Sequence, residues 1–175
     1  MKPTLVYMLA ATLFVACSAQ QPADGRKSAS ARAPGGSELP ASWTIRPVTQ
    51  PVGPNRMTSV RIDVALQAGW HIYSITQPTG GPIATRITVP AGQPFELAGN
   101  PKPTVNPVVK FDDAFRMNVQ EHEKGVGFTI PVRLSAGAPT ADSMHVNVRY
   151  QVCNASFCYP PQTAKLVAPV LVSGG

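Results

Sequence analysis

The sequence has no apolar run long enough to span a bilayer. A membrane helix needs about 20 such residues, and the longest stretch, Leu5 to Ala16, falls short of that. Clustered basic charge is missing too: 15 basic and 9 acidic residues leave a net charge of +6, scattered along the chain. A nucleic-acid surface needs that charge gathered on one face, so no nucleic-acid partner is expected, and the surplus weakly favours an anionic membrane surface. Helical periodicity is scarce, the 19 prolines and 14 glycines are spread throughout, and no internal repeat is visible. Cysteine is nearly absent, with only Cys17, Cys153 and Cys158.

What is present begins with "MKPTLVYMLAATLFVAC", one positive charge at Lys2 followed by the short apolar run, which reads as a secretory signal over 1–16. Cleavage is expected before Cys17, as in a lipoprotein, because a new N-terminal cysteine can be acylated and an unpaired one would be a reactive liability. Ordinary cleavage after Ala19 is the other route. Residues 17–38, rich in Ser, Ala, Gly and Pro, read as a flexible tether. Residues 39–175 then have the size of one domain. Export also means that a disulfide can persist.

Alternation of apolar and polar residues predicts the domain to be all-β. In "MTSVRIDVAL" Val60, Ile62, Val64 and Leu66 share one face, and in "GVGFTIPVRL" Val126, Phe128, Ile130, Val132 and Leu134 do so, with Pro131 arguing for an edge or a bulge. In "MHVNVRYQVC" Val146, Val148, Tyr150 and Val152 alternate with Asn147, Arg149 and Gln151. Shorter strands are expected in "WTIRPV", "WHIYS", "TRITVP" and "AKLVAPVLV", bounded by turns such as Pro-Thr-Gly-Gly-Pro at 78–82. Seven or more short strands in one domain suggest an immunoglobulin-like antiparallel two-sheet sandwich.

The segment "YQVCNASFCYPPQT" at 150–163 carries the chemistry. On continued alternation Cys153 leaves its strand on the polar side and Cys158 returns after four residues, near the sheet surface and not between the sheets. Three readings stand open at this point. A structural staple is one, although closing so short a loop removes little unfolded-state entropy. A soft-metal clip with His145 or Met144 is another, but two thiolates with one doubtful ligand fall short of the four that zinc wants. A redox pair is the third; it needs an accessible sulfur, a second to resolve the mixed disulfide, and control of access. The polar stretch 108–125, in which Phe111 and Phe115 bracket Asp112 and Asp113, reads either as a cap folding a ring over the disulfide or as an ordinary solvated loop.

Four pieces together, "AGWHIYS" at 68–74, "KFDDAFRM" at 110–117, "GFTIPV" at 127–132 and "YQVCNASFCYPPQT", resemble the N-terminal periplasmic domain of the thiol:disulfide interchange protein DsbD. The resemblance implies an immunoglobulin-like domain, without metal or other cofactor, that passes reducing equivalents to thioredoxin-like exported proteins in the periplasm of a Gram-negative bacterium. It implies that Cys158 forms the mixed disulfide with a partner and Cys153 resolves it. Phe115 resembles the shielding cap ring, Asp112 and Asp113 the acidic positions beside it, and Tyr73 a tyrosine packed near the cysteines, with Tyr159 following the pair. His71 stands where a further tyrosine is familiar, and a histidine there can titrate near neutral pH. The chain has no C-x-x-C motif, so electrons are expected from a separate membrane electron-transfer protein. The competing expectation is a non-catalytic binding or assembly lipoprotein whose disulfide is structural.

Overall fold

Alternating residues became strands because a pleated strand sends successive side chains to opposite faces, and one face had a core to join. The computed structural model describes residues 29–31, 39–49, 56–136 and 143–171; the expected signal sequence and Cys17 lie outside the described residues. Its strands are β1 (Ala29–Ala31), β2 (Ala41–Ile45), β3 (Val48–Thr49), β4 (Met57–Leu66), β5 (His71–Tyr73), β6 (Arg86–Thr88) and β7 (Phe95–Leu97). They continue with β8 (Lys102–Pro103), β9 (Val108–Asp112), β10 (Met117–His122), β11 (Val126–Leu134), β12 (Ser143–Tyr150), β13 (Val152–Cys153) and β14 (Gln162–Leu171). The fold is all-β and immunoglobulin-like. No helix among the described residues is long and apolar enough to cross a membrane.

One large sheet runs β1-β2-β4-β11-β7, with β8 also on β11; it faces a second sheet of order β3-β14-β12-β6. Val60, Ile62 and Val64 of β4 and all five expected inward residues of β11 are buried, as are Met144, Val146, Val148 and Tyr150 of β12. Trp43 of β2 joins the layers: its ring lies 6.1 Å from Phe128 on its own sheet and 5.2 Å from Tyr150 on the facing one. Each fully buried large apolar side chain contributes about 1.5–3 kcal/mol, so this seam carries much of the stability.

Two local expectations change. Pro131 is not at an edge, since β11 pairs along its length with β4. Its carbonyl points the other way and accepts from Ala98 N at 2.9 Å. Its nitrogen faces that same side, in the gap where β8 has ended and β7 has yet to begin pairing, so no ladder bond is lost. Within the expected tether, Ala29–Ala31 pair antiparallel with Thr44 and its neighbours, because the edge of β2 offers unpaired backbone groups to any extended segment.

A third sheet, of order β13-β5-β10-β9, positions the cysteines. The expected single strand 144–153 breaks at Gln151: β12 pairs with β14 and β6, whereas Val152 and Cys153 pair with Ile72 and His71 of β5. A strand that changes sheets makes a corner. Ile72 and Val152 still point into the main core, so their neighbours point out of it.

Candidate functional site

Cys153 and Cys158 form a disulfide, S–S 2.02 Å, with alpha carbons 4.0 Å apart. The two residues face each other as an antiparallel bridge. Flanking them, Asn154 N donates to Phe157 O and Tyr159 N donates to Val152 O, each at 3.0 Å. The cysteines therefore occupy the non-hydrogen-bonded pair of a tight hairpin, the site where opposed alpha carbons come closest. The Asn154 side chain closes the turn: its Oδ1 accepts from Ser156 N at 2.8 Å and Phe157 N at 2.9 Å, an Asx arrangement that asparagine forms readily. The hairpin is thus held by hydrogen bonds that do not pass through the sulfurs.

The two cysteines are not equivalent. Cys153 is 1% exposed, packed with Tyr73, Val119 and Met117, while Cys158 is exposed. Strand parity explains the first: registers Cys153↔His71, Glu121↔Tyr73 and Val119↔Lys110 put these side chains on one face of the third sheet, opposite the face that joins the main core. The expectation that Cys153 lies off the intersheet core holds, but its surroundings are buried, not open surface. A Cβ at Gly81 would meet Met117 Sδ at 2.5 Å, so the 78–82 turn closes over the methionine that packs against this cluster.

This face also holds a buried carboxylate. Glu121 is 1% exposed, its Oε2 lies 2.6 Å from Lys110 Nζ and its Oε1 lies 3.5 Å from His71 Nε2. The same His71 nitrogen is 3.3 Å from the Tyr73 hydroxyl. Burial pushes the His71 pKa below its ordinary value, opposed by the charge of Glu121, so the ring is neutral at neutral pH. Burial, with Glu121 and Asp112 adding to it, pushes the Tyr73 phenol up to about 12. The hydrogen bond to Glu121 raises Lys110.

Stretch 108–125, expected as a loop, is mostly the β9–β10 hairpin. Asp112 caps its turn, with Oδ1 accepting from Ala114 N and Phe115 N at 2.8 and 3.2 Å. Asp113 is exposed, and Phe115 sits in the turn at 38% exposure without a ring contact among the described residues. The rings beside the cysteine hairpin are Trp70, Phe157 and Tyr159, mutually 5.3–5.4 Å apart. Trp70, Phe157, Glu121 and Lys110 were missed in the sequence. Trp70 and Phe157 lay inside quoted motifs and were legible there; nothing in the spacing says that Glu121 turns inward. Met144 is buried in the main core, and His145 lies on β12 six residues before the break at Gln151, roughly 20 Å along the strand. The metal clip of Cys153, Cys158, Met144 and His145 is not assembled.

Comparison with known proteins gives a family match over residues 39–168, to "Thiol:disulfide interchange protein DsbD, N-terminal". No curated protein matches the chain. Among solved structures, the N-terminal domain of DsbD from Neisseria meningitidis, in the reduced form, is similar at 14% identity and TM-score 0.45, covering 63% of this chain and 76% of that one. The N-terminal periplasmic domain of ScsB from Proteus mirabilis is similar at 15% identity and TM-score 0.49, covering 73% of this chain and 46% of that one.

Proposed function

Because the chain belongs to the family of N-terminal domains of the thiol:disulfide interchange protein DsbD, we propose that it relays reducing equivalents between thioredoxin-like exported partners through the Cys153–Cys158 disulfide. The observation that carries this reading is the asymmetry of the hairpin: one exposed cysteine, one buried, and a turn closed by backbone and Asn154 hydrogen bonds as well as by the disulfide. A partner thiolate attacks the Cys158 sulfur, and the electron pair of the broken bond passes to Cys153. A second partner thiol attacks the partner's sulfur in this mixed disulfide, and Cys158 leaves with both cysteines reduced. In the return half-cycle the Cys158 thiolate attacks an oxidised client, and Cys153 releases the product and re-forms the disulfide. In this reading electrons enter from a membrane electron-transfer protein.

Phe115 is assigned as the shielding ring, supported by its place two residues before Met117, which packs against the cluster of Tyr73, Val119 and Cys153. Asp112 is assigned to hold that turn, with Asp113 beside it. Trp70, Phe157 and Tyr159 form the apolar rim on which a partner docks, and Pro160 and Pro161, both exposed, stiffen the exit without backbone donors to compete. The site of action is the periplasm, with Cys17 as a lipid anchor to the membrane.

Trapping tests the reading. In an exporting bacterial host, Cys153→Ala, which leaves Cys158 free, is expected to capture a thioredoxin-like protein as a mixed disulfide on non-reducing gels, and Cys158→Ala is not. The wild-type potential is expected in the exchangeable range, above about −300 mV. Capture by neither variant, with a bond that resists reduction below that range, would establish a structural staple instead.

A further inference from the structure

Opening the disulfide creates a problem that the exchange steps alone do not solve. The electron pair released from the S–S bond goes to Cys153, whose surroundings exclude water and include a buried carboxylate: Glu121 and Cys153 are each 1% exposed. An unpaired thiolate there is costly, and the nearby cation, Lys110, is already paired with Glu121. A proton has to reach Cys153 as the bond breaks. The incoming partner thiol has one to lose, since only its thiolate attacks.

His71 is the titratable group beside Cys153. It is the direct cross-strand partner of Cys153, which sets their Cβ atoms about 4.5–5.5 Å apart. Its side chain is 12% exposed, enough to meet a docked partner. Its Nε2 is occupied by the Tyr73 hydroxyl and Glu121, while Nδ1 has no hydrogen-bond partner among the described residues. Tyr73 itself, at about 12, holds its proton too tightly to serve, and Lys110 does so as well. The charged and titratable groups around His71 are Tyr73 on its own strand, Glu121 on β10, Lys110 and Asp112 on β9, Glu123 beyond β10, and Cys153 on β13.

We propose that His71 shuttles the proton between the partner thiol and Cys153, with Glu121 as its positioning carboxylate and Lys110 fixing Glu121 in turn. The steps balance. His71 Nδ1 takes the proton of the partner thiol, and the resulting thiolate forms a bond to Cys158 Sγ. The Cys153–Cys158 bond breaks toward Cys153, and His71 returns the proton to that sulfur. The net change is one partner thiol consumed, one mixed disulfide formed and Cys153 left as a thiol. The reverse sequence removes the Cys153 proton when the disulfide closes. This rests on the exchange reading above, because a structural disulfide has no use for a shuttle.

The test is the rate at which glutathione opens the disulfide of the whole exported chain from pH 5 to 9, followed by acid quench, alkylation and mass spectrometry. Near pH 7, His71→Gln, which keeps a polar side chain of similar reach, is expected to slow opening by about tenfold, a modest share of general acid–base catalysis because thiolates leave easily. The deficit should shrink as pH rises toward the thiol range near 8.5, where glutathione ionises unaided. Glu121→Gln should move the inflection to lower pH, because the carboxylate favours the protonated ring, and Lys110→Met should move it to higher pH. These opposite displacements carry the test even if His71→Gln does not fold, and a merely structural role would lower stability without producing them. A bond that opens at the same rate and profile in all variants overturns this proposal alone. A wild-type bond that glutathione does not open overturns the exchange reading together with it.

Discussion

The two faces of the third sheet are built from the same strands and teach opposite lessons. The inner face presents Ile72, Val152 and His122 to a core of Trp43, Phe128 and Tyr150; the outer face carries Cys153, Tyr73 and Glu121, buried as well, with the partly exposed His71 among them. Apolar burial is non-directional and stabilises without demanding partners. Buried charge demands them, and its net contribution to stability is small or negative. The inner face therefore stores the stability that the outer face draws on to hold a carboxylate, an imidazole and a sulfur together.

The widest break in that comparison is Phe128→Ala, which is expected to cost about 3–5 kcal/mol by urea unfolding while leaving the midpoint potential of the disulfide unchanged. Lys110→Met acts on the other face and strands the Glu121 carboxylate. Because the Lys110 side chain is 44% exposed, the expected loss is about 1–3 kcal/mol, less than for a fully buried pair. Removing both cysteines, as Cys153→Ala with Cys158→Ala, should cost about 2 kcal/mol or less, the amount a very short loop confers. Near-ultraviolet circular dichroism should stay folded; an unfolded spectrum would mean that the hairpin depends on the bond.

Stability should also fall with acidity. Burial lowers the pKa of both His71 and His122 from 6.5, so below about pH 6.5 the unfolded chain binds protons that the folded one refuses. Each ring contributes at most about 1.4 kcal/mol per pH unit, and the contribution is fully present above pH 6.5. His122→Leu should remove the inner-face share and His71→Gln the outer-face share, read as the slope of the unfolding midpoint against pH. The smallest effect expected is that of Asn154→Ala, about 1 kcal/mol for the lost turn bonds, with faster opening of the disulfide as its more sensitive readout.

How much of this was legible follows from range. The inward sets of β4 and β11, and the cysteine hairpin with its Tyr-Pro-Pro-Gln-Thr flank, were readable because period-two alternation and short loops are local properties. The β9–β10 hairpin was read as a loop because it is an edge element: all of Val108 to Lys110 and Phe111 are exposed, so no apolar alternation marks it. Pro131 suggested an edge because a missing donor is usually fatal to a central strand; only the split between β7 and β8 makes it harmless.

Local pattern in the chain is enough to show a β sandwich and a pair of cysteines with four residues between them. Tertiary structure alone decided which sulfur is exposed and what surrounds the other. Those choices depend on β12 breaking at Gln151 so that β13 joins β5, and on β10 and β9 adding beside it. That brings residues 71, 110, 121 and 153 onto one face, and no local pattern encodes a meeting across more than eighty residues. The physical reason is that strand pairing is chosen by the burial of the opposite face, where Ile72 and Val152 satisfy the core, and the outward side chains are carried along by parity.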